Sequence, residues 1–215
     1  MGGSLPVVAH PSEPSFLVLH ALRLKGLADT SVVAGLSRLS DDEAGRYLEK
    51  AAADGQATRR EGRITGWALT PAGRTQHHEL IASELDSSGA RATIEDGYRR
   101  FLGFNNELLT VCTDWQLRDS ALNDHQDADY DAAVVARLRA VDEKVQPVCA
   151  DLGGALDRFG DYGPRFTAAI ERVEAGERDW FAKPMIDSYH TVWFELHEDL
   201  LATLGIERSK EGSTS

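Results

Sequence analysis

Cysteine is scarce. The 215-residue chain holds two, Cys112 and Cys149, far apart and in neither a CxxC nor a mixed Cys/His spacing. The sequence therefore predicts reduced thiols in a cytoplasmic protein and excludes a disulfide-framed or zinc-stapled domain. Long apolar runs are missing too. None reaches the ~18 to 20 residues that a bilayer-spanning helix needs, so no membrane partner is expected. The opening MGGSLPVVAHPSEPS lacks a basic stretch ahead of a long apolar one and does not read as a secretory leader. Enzyme signatures are also lacking: GxSxG, GxGxxG, the phosphate-binding P-loop and HExxH do not occur. No catalytic residue, metal or cofactor is expected. Positive charge is in deficit, with 23 Lys/Arg against 35 Asp/Glu and a net charge of -12. Taken over the whole chain, that balance opposes a nucleic-acid partner, because phosphate repels an acidic surface.

The distribution of charge changes this reading. From Phe16 to Leu85 there are nine Lys/Arg and nine Asp/Glu, whereas from Asp86 to Arg208 there are thirteen against twenty-four. The first segment is neutral and the second carries nearly all the excess, a split that suits a polyanion-binding module joined to a domain of other purpose. The chain is also long enough to bury a core without staples.

Helical periodicity opens at Phe16-Leu17, Leu19, Leu22 and Leu24 and predicts a first helix ending near Gly26 or Ala28. Asp29, Thr30 or Ser31 can cap a second helix, with Val32, Val33, Leu36 and Leu39 facing inward. Ser40 and Glu43 form a capping-box pair for a third, from about Asp41 to Ala53, stopped by Asp54-Gly55. Two short extended segments, Ala57 to Arg60 and Gly66 to Leu69, make a hairpin around the charged tip Glu61 to Thr65. Thr70-Pro71 then opens another helix, with threonine as N-cap and proline at the first helical position.

This order, with the segments LSDDEAGRYLEKAAADG, RREGRITG and WALTPAGR, resembles the winged helix-turn-helix regulators of the MarR and PadR type. The resemblance covers about a third of the chain. It implies a mainly α fold: an N-terminal winged helix-turn-helix domain, three helices plus a β-hairpin wing over residues 16–85. An all-helical dimerisation and effector domain would follow over residues 90–208. Residues 1–15 are expected to form a flexible arm and 209–215 a disordered tail, with the domain boundary at Asp86-Ser87-Ser88-Gly89. The resemblance further implies that the third helix enters the major groove of duplex DNA while the wing touches the backbone or minor groove. The DNA-contacting candidates are Ser40, Asp42, Arg46 and Lys50 on or beside that helix, and Arg59, Arg60 and Arg63 around the flexible Gly62. Arg38 and Arg74 could reach the flanking backbone. Acidic groups at the start of the third helix complement its dipole but oppose phosphate.

Beyond Leu85 helical patterns run over roughly 93–117, 128–159, 164–175 and 179–204, with Pro147 and Gly153-Gly154 as candidate interruptions of the second; nothing after Leu69 reads as a strand. Two clusters could line a small-molecule pocket or a dimer seam: Phe104, Asn105, Cys112 and Trp115 on one helix, and Trp180, Tyr189, His190, Trp193 and His197 further on. Phe101 joins the first cluster as core. His190 and His197 stand two turns apart, ~10 Å along a helix axis, too far to share a metal ion unaided. His77-His78 point about 100° apart and read as solvated surface. The expectation is a cytoplasmic, homodimeric DNA-binding transcriptional regulator that responds to a small molecule. The alternative from another class is a regulatory or adaptor protein that uses the winged helix to dock a protein.

Overall fold

Where proline, aspartate, serine or threonine stands ahead of an apolar-periodic run, a helix begins. The computed structural model describes residues 9–62 and 65–208. α1 spans Pro14–Lys25 and ends at Gly26, whose φ of +73° suits a residue without a side chain. α2 spans Thr30–Ser37, and the Asp29 carboxylate accepts the Val32 N–H at 2.9 Å. α3 covers Asp41–Ala53 behind a complete capping box: the Ser40 hydroxyl accepts the Glu43 N–H, and the Glu43 carboxylate accepts the Ser40 N–H.

β1 (Ala57–Arg60) pairs antiparallel with β2 (Gly66–Leu69), in a register that sets Arg59 opposite Trp67 and Arg60 opposite Gly66. A third partner comes from the α1–α2 turn. Ala28 and Trp67 exchange both backbone hydrogen bonds, at 3.0 and 2.7 Å, which fastens the hairpin to the helices. Glycine is required at 66 for that approach, since a Cβ there would lie 2.9 Å from the Ala28 carbonyl oxygen. α4 follows over Pro71–Ser88, capped by Thr70. Val18, Leu19, Leu22, Val33, Ala44, Leu48, Trp67 and Leu69 form the core that these elements share.

α5 runs Arg91–Gln116, and β3 (Leu117–Arg118) pairs with β4 (Ala121–Leu122). This hairpin departs from the expectation of no strand after Leu69. Its strands are two residues each and expose Leu117 and Leu122, so no alternation marks them. What makes the turn is Asp119 and Ser120, both at positive φ. α6 covers Ala128–Ala155 without interruption. Its stripe Val134, Leu138, Val141, Val145, Val148 and Leu152 is buried, while Pro147 faces solvent, where the carbonyl it leaves without a donor can be hydrated. A 3₁₀ turn at Asp157–Phe159 and α7 (Tyr162–Glu174) come next. The single helix expected over 179–204 is two, α8 (Asp179–Ala182) and α9 (Tyr189–Leu204). Pro184 forces Lys183 into extended backbone and stops α8.

Among the described residues the fold is thus mainly helical, with two small hairpins. None of its helices is long and apolar enough to cross a membrane. The chain divides into two compact units that are discontinuous in sequence. Of the described residues, the first holds 10–62, 65–91, 156–158 and 198–208; the second holds residue 9, 92–155 and 159–197. This differs from a linear division at 86–89. Residues 10–15 are not a loose arm: the His10 carbonyl accepts the Asp157 N–H at 3.0 Å, and the Ser12 hydroxyl donates to Glu84. Residues 1–8 and the expected tail at 209–215 lie outside the described residues.

Candidate nucleic-acid interface

Because opposed residues of an antiparallel pair share a face and neighbours alternate, Arg59 and Arg60 leave β1 on opposite faces of the hairpin. Both are exposed. Neither side chain makes a hydrogen bond or ion pair among the described residues. Arg63, expected to complete the basic tip, lies outside the described residues.

Other predicted cations are engaged. The Arg38 guanidinium donates to the Asp157 carboxylate at 2.9 Å and to the Asp157 carbonyl at 2.8 Å. Arg38 itself sits at φ +54°, closing α2. Arg74 donates to the Leu69 carbonyl at 3.2 Å, and Lys50 pairs with Asp54 at 3.0 Å, one turn along α3. Ser40 is used as the cap, its hydroxyl also lying 2.6 Å from Glu43. The hydrogen bonds from Ser40 hold the Glu43 carboxyl below its ordinary range. Asp41, Asp42, Arg46 and Glu49 remain exposed along α3. The surface is therefore mixed: acidic at the start of α3, basic on β1.

The residues expected to line an effector pocket sit in the second unit and mostly satisfy one another. Asn105 accepts the Trp193 indole N–H at 3.0 Å, and the Tyr189 hydroxyl donates to Asp142 at 3.2 Å. Trp115 stacks on Phe181 with ring centroids 4.3 Å apart, and the buried His197 packs on Phe101. Burial pushes the Cys112 thiol up to about 12 and lowers the His190 pKa, and the Arg172 guanidinium lies 4.2 Å from the centre of the Trp180 ring. Phe104 is half-buried. Two crevices in this unit, of about 560 and 230 Å³, are lined by other residues, Asp96 and Asp151 in one and Gln146 and Cys149 in the other. Among the described residues no group of three or more His, Cys, Asp or Glu could hold a metal ion.

His77 is not solvated surface. It is buried, and its Nε2 lies 3.0 Å from Nδ1 of the buried His20. Arg158, Asp199, Glu84 and Thr203 join them in one polar cluster within the first unit. Sequence reading missed it because its members come from four separated stretches. The one local signal was a histidine at position 77 set in phase with Gly73, Ile81 and Glu84 on the buried side of α4.

Comparison with models of protein families, with curated proteins and with solved structures finds no match to this chain.

Proposed function

We propose that the chain is a DNA-binding transcriptional regulator of the winged helix-turn-helix type, with α3 as the groove-reading helix and the β1–β2 hairpin as the wing. The observation that carries this reading is the pair Arg59 and Arg60, exposed on β1 and without a partner among the described residues. Guanidinium groups held on a hairpin and paired with no carboxylate among the described residues suit phosphate oxygens or a minor groove. The Ala28–Trp67 bridge supports it, because it couples the position of the hairpin to the helices. On α3, Arg46 would pair with guanine, and Asp42 would accept from a cytosine amino group. In this reading the second unit supplies homodimer contacts and senses a small molecule, and the protein works in the cytoplasm.

Fluorescently labelled duplex DNA titrated across salt concentrations tests the proposal. Replacing Arg59, Arg60 and Arg63 together with alanine should weaken binding to every duplex. It should also flatten the dependence of log affinity on log salt by roughly 0.9 per phosphate contact removed. Unchanged affinity and slope would overturn the assignment of the hairpin.

The acidic first turn of α3, Asp41, Asp42 and Glu43, favours a second reading, a surface that docks a basic protein segment. That reading predicts no duplex binding at any salt concentration, and loss of partner binding on changing Asp41 and Asp42 to asparagine.

A further inference from the structure

His20 on α1 and His77 on α4 face each other in the first unit with 3.0 Å between Nδ1 and Nε2. The rings are nearly parallel, 8° apart, and both are buried, with Phe16 packed on each. On its other side the His20 Nε2 lies 3.1 Å from the Asp199 carboxylate, which can only accept, so that nitrogen carries hydrogen. Arg158 approaches the same nitrogen at 3.4 Å and binds Asp199, Glu84 and Thr203. The charged groups acting on the imidazole pair are thus Asp199 from α9, Arg158 from the 157–159 turn, Glu84 of α4 through Arg158, and Arg23 from α1. Through these contacts the cluster fastens the last turns of α9 and the 156–158 segment to α1 and α4.

A nitrogen-to-nitrogen hydrogen bond of 3.0 Å holds one proton. With both rings protonated, two N–H groups would point at each other in a site closed to water. We infer that His20 and His77 form a proton-gated latch, closed while one proton lies between the rings and opened when a second proton enters between them, which frees residues 198–204 and 156–158 from α1 and α4. The inference is independent of whether the hairpin binds DNA.

The sign follows from the environment. Burial first, then the charges of His20 and Arg23, hold His77 down to about 3, against the pull of Asp199. A histidine whose folded-state pKa is depressed contributes stability that is complete above its unfolded value near 6.5, and that stability declines as pH falls toward 3. Asp199 does not set this window. Burial acts to raise its pKa, but Arg158 and His20 outweigh burial and keep the carboxyl far below the usual carboxylate range.

Amide hydrogen exchange on the full chain at pH 7.5 and 5.0, expressed as protection factors, tests the latch. Protection of residues 198–204 should fall by at least about tenfold at pH 5.0, while the α2 and α3 amides change less. His77→Gln, which keeps a hydrogen-bonding group without a titratable ring, should leave that segment's protection the same at both pH values. Equal protection of 198–204 in the native protein at both pH values would overturn the latch, as would a parallel loss in the variant. Should His77→Gln fail to fold, histidine NMR titration of the native protein decides the matter. Both rings gaining protons with 198–204 still protected would also overturn it.

Discussion

The carbonyl oxygen of Gln56 stands where a side chain on Gly73 would have to be: a Cβ at that position would fall 1.9 Å from the oxygen. The approach is drawn tight by Thr70, whose N–H donates to the Gln56 carbonyl at 3.0 Å and whose hydroxyl donates to the Gly55 carbonyl at 2.6 Å. The same hydroxyl accepts the Gly73 N–H at 3.0 Å. The Thr-Pro-Ala-Gly run thus joins the start of α4 to the turn after α3 and fixes where the hairpin leaves.

Gly73→Ala must move backbone rather than a flexible side chain. It is expected to cost about 3 kcal/mol or more, the upper end of overpacking penalties. The midpoint of urea unfolding checks this, and an unchanged midpoint would mean that the turn relaxes freely. If the hairpin serves DNA, the same variant should lose affinity at temperatures where it remains folded.

Arg158 is buried between Glu84 and Asp199 and also donates to Thr203 at 2.7 Å. Removing it strands two carboxylates away from water, so Arg158→Met should destabilise the protein by roughly 3 to 5 kcal/mol. The triple change Glu84→Gln, Arg158→Met, Asp199→Asn leaves no stranded charge and should be less damaging than the single one. Chemical denaturation of both variants gives the comparison. A triple variant weaker than the single would show that packing around the guanidinium, not charge pairing, dominates.

Burial also pushes the Cys149 thiol up to about 12, as it does Cys112, against an ordinary value near 9. Thiolate is the reactive species, so at pH 8 each should react on the order of a thousand times more slowly than a free thiol. An aromatic disulfide reagent should therefore find almost no reactive thiol in the native protein and two after unfolding. Rapid native reaction at either site would place that helix in an open state.

Local chemistry made much of the first unit legible. The α3 boundaries match the expected 41–53 because Ser40 and Glu43 satisfy each other's backbone N–H groups within four residues. The hairpin strands match the expected 57–60 and 66–69, and Ala57 and the whole run from Gly66 to Leu69 are buried. The α8–α9 break is legible at Pro184, although helical periodicity continues across it. The β3–β4 hairpin was not readable, since two-residue strands carry no alternation.

At the candidate site, residue types could nominate arginines but not decide which were free. Arg38 and Arg59 look alike in sequence. One is taken up by Asp157, 119 positions later, and the other meets no partner among the described residues.

Caps, turn residues and apolar spacing act over a few residues, so the chain itself dictated where α2, α3 and α4 start and where the first hairpin forms. Tertiary packing alone decided that residues 156–158 and 198–204 join the N-terminal helices, that His77 meets His20, and that Arg158 is surrounded by carboxylates. Those outcomes depend on which distant side chains share a water-free space, where a charge is stable only beside its counter-charge, and spacing along the chain does not encode that.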